Sequence, residues 1–217
     1  MTTSGTRPDT TPRDHSGTEQ ALRLLSDMPL ALDVAGKRLS RGSGVYAWWA
    51  APSVLPDLPG PPNGTTPSLR LLYLGRATSL RGRILRNHLR RSGSSTLRRT
   101  LAGLLMADGY RTTWTDRVVL VPEDEARLTA WMHEHLRLTW AEDAEPATIE
   151  AELVRRLRPP LNVHGVGPEH VQAAVVAAKD RYNASAHPER WPSGDESHRE
   201  KPRGTGTAAG IRVGDTG

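Results

Sequence analysis

In "ATIEAELVRRLRPPLN", residues 147–162, a helical wheel gathers Ile149, Leu153, Val154 and Leu157 into one apolar arc with Glu150 at its centre. Glu152 points the other way, beside Arg155 and Arg156. A carboxylate turned toward a core costs roughly several kcal/mol unless something pairs with it, so Glu150 requires a partner. Two tripeptides elsewhere set a Tyr beside a Gly at a strand end, "GVY" at 44–46 and "YLG" at 73–75, which brings each phenol close to accessible backbone. From the second, "YLGRATSLRGRI" runs through a short turn into a helix with Arg83 one turn in and Asn87 one turn later. His88 falls between Ile84 and Leu85 on that wheel, facing either a site or the core.

Charge points the same way. From Leu58 to Ala107 there is no Asp or Glu, yet there are nine arginines: 70, 76, 81, 83, 86, 90, 91, 98 and 99. Between Val121 and Glu152 nine acids stand against Arg127 and Arg137. A one-signed block suits a polyanion, and phosphate is the usual one. With only three lysines, arginine is this chain's default base. That accounts for Arg over Lys, but not for the missing acids.

The elements that position these groups read as one small α/β (α+β) domain over about residues 18–182. Its core is a central, mostly antiparallel sheet of three to four strands flanked by helices. A short helix at 18–28 has Thr18 as a cap. Strands at 43–50 and 69–77 form a hairpin around a long insert whose Pro and Gly residues mark 55–68 as loop. Helices follow from Thr78 or Ser79 and from Ser94 or Ser95; then come a third strand at 117–122, a helix with acids in its first turn, and a fourth strand at 137–142. Pro159 and Pro160 end the Glu150 helix at Arg158, and a helix at 168–182 closes the domain.

A hydrophobic content of 36% and a mean hydropathy of −0.53 are low for a wholly packed chain, which marks 1–17 and 183–217 as disordered tails. With no Cys, disulfides and thiolate metal sites are excluded. No apolar run approaches the roughly 20 residues of a membrane span, and the N-terminus lacks a secretory apolar stretch. The expectation is a cytoplasmic protein with no membrane contact. Six Trp and no Phe suggest that Trp48, Trp49, Trp114, Trp131 and Trp140 take the place of Phe in the core, with Trp191 in the tail. In "HEH", at 133–135, the histidines lie on opposite sides of a helix and cannot share an ion. "RGTGTAAG" follows no strand and reads as linker rather than a dinucleotide loop.

Taken in order, GVY, YLG, the helical arginine, a glutamate ahead of Leu153 and Val154, and a terminal Pro-x-x-Asn ending at Asn162 resemble the GIY-YIG nuclease family over about residues 43–163. The resemblance implies a metal-dependent DNA endonuclease. Glu150 would bind one divalent cation, Mg²⁺ or Mn²⁺; Tyr46 would be the general base, and Tyr73 would orient the water or the phosphate. Arg83 would hold the non-bridging oxygens and, with Arg76, lower the phenol pKa from its free value of about 10. Asn162 would brace the site. Arg81, Arg86, Arg90, Arg91, Arg98 and Arg99 would contact backbone phosphates.

Three departures stand out. Arg76 replaces a frequent Lys, and the 51–68 insert is longer than usual, as a substrate-contacting loop or as decoration. The family's frequent His or Tyr one turn past the arginine falls on Asn87 here, which leaves open whether His88 does that work or is packed. Two alternatives are a non-catalytic DNA-binding module of the same fold and a partner-binding protein. Glu150 has an alternative too, a salt bridge to a core-edge arginine such as Arg83. A homodimer is compatible with the sequence.

Overall fold

Strand β2 (Gly44–Ala50) is buried along its whole length, as a central strand covered on both faces must be. The computed structural model describes residues 15–162 and 168–186. The sheet order is β1 (Leu30–Ala31), β6 (Leu136–Glu142), β2 and β3 (Arg70–Ala77), with every pair antiparallel. Side chains alternate across β2. Tyr46, Trp48 and Ala50 enter one core; Val45, Ala47 and Trp49 enter the other.

The first core is closed by α2 (Leu32–Arg38), a π-helix at Gly82–His88, α3 (Thr96–Leu104), α4 (Pro122–His135) and α6 (Glu169–Ala184). The second is closed by α1 (His15–Leu25) and α5 (Pro146–Leu157), which bury Leu25, Ile149 and Leu153 against the sheet. Trp48 faces Tyr73 while Trp49 faces Leu71, so Leu72 is an extra residue on β3. This bulge puts both Leu72 and Tyr73 on the Tyr46 side, with Leu71 and Leu74 on the other. Since Tyr73 pairs with Trp48 in the regular part of the ladder, a phenol from each strand reaches the same face.

The expected architecture, an α/β domain around an antiparallel sheet, is the one observed. Several elements differ. The strand at 117–122 is β5 (Val118–Leu120); it pairs with β4 (Thr112–Trp114) in a separate two-stranded sheet. The fourth strand of the main sheet is instead β1, whose two residues carry no readable period. Helix α1 begins at His15, inside the stretch expected to be a tail, and α6 runs to Ala184. Residues 1–14 and 187–217, with "RGTGTAAG" and Trp191, lie outside the described residues. Trp48 and Trp49 are core and Trp131 and Trp140 are partly buried, but Trp114 is 43% exposed and does not replace a core Phe.

The long insert is tied down by the strand that follows it. Arg70 is buried, and its Nη2 donates to the carbonyls of Val54 (2.5 Å) and Leu55 (2.7 Å). Leu58 and Asn63 are buried beneath the loop. One of the nine arginines is thereby a structural residue.

Candidate active site

Tyr46 and Gly75 sit opposite each other in the β2–β3 register. A Cβ on Gly75 would lie 2.6 Å from the Tyr46 hydroxyl and 2.8 Å from Tyr73 Cε1, so only glycine lets both phenols close over this point of the strand. A Cβ on Gly44 would lie 2.2 Å from the Ala141 carbonyl oxygen, where the β6 backbone passes. The two tyrosine rings are 6.4 Å apart at their centroids.

The helix after β3 accounts for the position of His88. Leu89 N–H donates to the Ile84 carbonyl at 3.0 Å, an i→i+5 bond within a seven-residue π-helix. In an α-helix, residues five apart lie about 140° apart around the axis; the wider turn of a π-helix brings them much closer together. Arg83 and His88 therefore share a face and meet the same oxygen, with His88 Nε2 at 2.7 Å and Arg83 Nε at 3.4 Å from Tyr46 Oη. Asn87, at the expected spacing, lines the adjacent pocket. His88 is fully buried, its Nδ1 lies 2.7 Å from Ser95 Oγ, and its ring packs edge-on against Tyr46, Trp48 and Tyr73.

Glu150 finds its partner on the neighbouring strand. Its Oε2 meets Arg76 Nε at 2.8 Å, so the pairing guanidinium is that of Arg76, not Arg83. Arg76 alternates onto the α5 side of β3 with Leu74, while the tyrosines lie on the opposite side. Because β3 is an edge strand, the two sides meet around it. There Tyr73, Glu150 and Asn162 line one pocket of about 480 Å³, together with Val154, Leu161 and Lys179. Arg76, Arg83, Arg86 and Asn87 line a second of about 500 Å³. A third, of about 450 Å³, is walled by Arg41, Arg81, Arg86 and Arg90 and shares Arg86 with the second.

Asn162 occupies the β3 edge like one more strand residue. Its Nδ2 donates to the Leu74 carbonyl (2.7 Å) and its Oδ1 accepts the Leu74 N–H (2.9 Å). The chain reaches it because Arg158 ends α5 in the left-handed region (φ 51°) ahead of the two prolines.

Burial dominates the electrostatics. It pushes the Tyr46 phenol well above its ordinary value; nearby Tyr73 adds to the rise, and the hydrogen bond and charge of Arg83 oppose it without prevailing. Tyr73 is raised for the same first reason. The expected cation-lowered phenol is thus not the resting state, because removal from water outweighs one guanidinium. Burial, reinforced by the charges of Arg83 and Arg98, holds His88 well below the usual histidine range, as the neutral imidazole. Burial raises Glu150, and Arg76 opposes the rise.

The expected phosphate contacts divide. Arg81, Arg86, Arg90 and Arg91 are exposed. Arg98 is not: its side chain is 0% exposed, and it donates to Glu125 Oε2 (2.7 Å), the His88 carbonyl (3.1 Å) and Thr129 Oγ1 (3.1 Å). It cannot reach a phosphate. Half-buried Arg99 donates to the carbonyls of Ser92 and Gly93. The acid-free run is a property of the chain order; in space, Glu125 on α4 supplies the missing charge. The sequence also gave no sign that Ser95, read as a helix cap, would touch His88.

Among the described residues no three His, Cys, Asp or Glu converge, and Glu150 is the one carboxylate that lines these three pockets. Only its Oε2 is engaged among the described residues. That donor set fits a cation such as Mg²⁺, which takes one or two carboxylates and keeps several waters.

An antiparallel sheet flanked by helices on both faces, with Tyr73 and Glu150 in one pocket at its edge, makes this an α+β domain. The chain belongs to the GIY-YIG family: the GIY-YIG catalytic domain matches residues 44–176, more than half its length, and this domain is of nuclease type. No curated protein and no solved structure matches the chain. Among the described residues no helix is long and apolar enough to cross a membrane.

Proposed function

We propose that the protein is a DNA endonuclease that hydrolyses phosphodiester bonds with one divalent cation, Mg²⁺ or Mn²⁺, and with Tyr46 as general base, acting in the cytoplasm. The observation that carries this reading is that Tyr73 and Glu150 line one pocket at the β3 edge while Arg83 reaches the oxygen of Tyr46, buried directly behind Tyr73. Arg83 and Arg76 bind the non-bridging oxygens of the scissile phosphate, for which a guanidinium fork is well shaped. Glu150 holds the cation, which when bound polarises the phosphate and neutralises the departing 3′ oxygen. Burial keeps Tyr46 protonated at rest, so its proton must leave before the phenolate can take one from the attacking water. Arg83 Nε, donating to the same oxygen, stabilises that phenolate. Tyr73 orients the water, and Asn162 holds the strand that carries Tyr73. Arg81, Arg86, Arg90 and Arg91 contact flanking phosphates, which positions a duplex without reading its sequence.

The test is incubation of supercoiled plasmid and of single-stranded DNA with the purified protein, with Mg²⁺ or Mn²⁺ and then with chelator. Glu150→Ala and Tyr46→Phe run alongside. Metal-dependent nicking by the native protein alone is the expected result. Equal nicking by all three overturns the assigned centre. Salt-sensitive binding with no cutting identifies a DNA-binding module of the same fold.

A further inference from the structure

We propose that Ser95 fixes His88 in the tautomer that carries its proton on Nε2, so that His88 donates a hydrogen bond to the Tyr46 oxygen and does not accept the Tyr46 proton. Only the catalytic consequence of this rests on the nuclease reading; the tautomer itself does not.

The assignment follows from donor and acceptor counting in a sealed site. Ser95 is fully buried, and among the described residues its Oγ has two partners. One is the Arg98 backbone N–H at 3.1 Å, which can only donate. The other is His88 Nδ1 at 2.7 Å. With one lone pair taken by Arg98, the hydroxyl hydrogen has a single acceptor within reach, Nδ1. If Nδ1 carried the proton instead, the serine hydrogen would be buried without an acceptor, an arrangement that folded proteins avoid. The helix cap of α3 thereby dictates which histidine nitrogen is protonated. The imidazole has only one proton to place, since burial and the charges of Arg83 and Arg98 keep it neutral.

The proton on Nε2 then points at Tyr46 Oη, 2.7 Å away, where Arg83 Nε–H also points from 3.4 Å. With two N–H groups from the protein side on the phenol oxygen, the phenol's own hydrogen is left for Tyr73, the neighbouring ring at 6.4 Å between centroids. This surrounding is suited to a phenolate. His88 has no vacant acceptor for the proton that Tyr46 loses, so that proton has to leave on the side of Tyr73, which lines the open pocket. The phenolate then takes a proton from the attacking water, leaving hydroxide to bond to phosphorus. Ser95 is accordingly a positioning residue that acts through His88.

The direct test uses the full chain labelled with ¹⁵N-histidine. Long-range ¹H–¹⁵N correlations report which ring nitrogen is protonated, and the His88 signals are assigned by their loss in His88→Gln. A protonated Nε2 with a bare Nδ1 is expected; a bare Nε2 overturns the proposal. The reading needs no cleavage, so it holds or fails independently of the nuclease assignment. Ser95→Asn and Ser95→Asp then form a matched pair. Both cap a helix well, but only the Asn amide can donate to Nδ1, whereas the Asp carboxylate accepts from it and puts a proton on Nδ1, as the other tautomer or as the imidazolium, which the same ¹⁵N correlations tell apart. The Asp variant is expected to lose at least about tenfold more kcat than the Asn variant, with KM little changed. Ser95→Thr, which keeps both the cap and the donor, is expected to stay near native activity. Equal kcat for folded Asn and Asp variants would mean that Ser95 is only a cap, and would refute its role through His88.

Discussion

A methyl group on Gly75 would stand 2.6 Å from Tyr46 Oη, 2.7 Å from Tyr46 Cζ and 2.8 Å from Tyr73 Cε1. Ordinary contact begins near 3.4 Å, so Gly75→Ala has to drive the two phenols outward by roughly 0.6–0.8 Å. Tyr46 has little room to yield, being fully buried and held at 2.7 Å by His88. Misplacing a reacting group by about 1 Å costs on the order of 10²-fold in rate, so a 10- to 100-fold loss of kcat is expected. Overpacking adds a stability cost of about 1–3 kcal/mol, or a fall of roughly 2–12 °C in Tm for a chain of this size. The assay pairs plasmid nicking with thermal melting by circular dichroism. Gly17→Ala is the control, because its Cβ would meet nothing closer than 3.9 Å and alanine suits a helix better than glycine. A folded Gly75→Ala protein that nicks within about twofold of native would refute the argument that the glycine exists to admit both phenols.

Other outcomes follow from the same geometry. Arg98→Ala strands Glu125 beside a fully buried gap and is expected to cost about 3–5 kcal/mol in urea unfolding. Arg90→Ala should leave stability alone and lower the salt slope of DNA binding by about 1 in anisotropy titrations; the reverse pattern would contradict the division of the arginines. Glu150→Gln is expected to abolish metal-dependent nicking while retaining DNA binding, checked by filter binding beside the cleavage assay. The His88 pKa is depressed in the folded state, so the unfolded chain binds the extra proton. Its contribution is therefore complete above about pH 6.5 and is lost as pH falls below it. Urea midpoints taken at pH 7.5 and pH 5 should fall further for the native chain than for His88→Gln, and parallel falls would count against a buried neutral imidazole.

How far these features could be read beforehand depends on how local their causes are. The inward turn of Glu150 is written in its own helix, because Ile149 and Leu153 must face the sheet. Its partner is not: Arg76 comes from a strand on the far side of the domain's sequence, and only the edge position of β3 brings it within 2.8 Å. The hairpin of the two tyrosines was legible from strand-type composition and a largely apolar run, but the register that sets Tyr73 opposite Trp48, and so on the Tyr46 face, leaves no mark in composition. Arg98 lies in an acid-free run along the chain, whereas in space its neutralising acid comes from α4. The two-residue strand β1 and the seven-residue helix α2 are too short to show a period. Ser95 was readable as a cap because capping is local; its contact with His88 needed the π-helix to turn the imidazole under the strand.

That π-helix absorbs a residue without lengthening the segment between fixed ends. Residues upstream of the widened turn keep their places, and those downstream move along by one, so an imidazole arrives under the phenol from a position that simple counting assigns to Asn87. Pattern searches that demand constant gaps between motifs will register the wrong side chain here. A chain can thus gain or shed a single codon in its working helix and still deliver a heterocycle to the same spot, provided the coil widens or tightens to match.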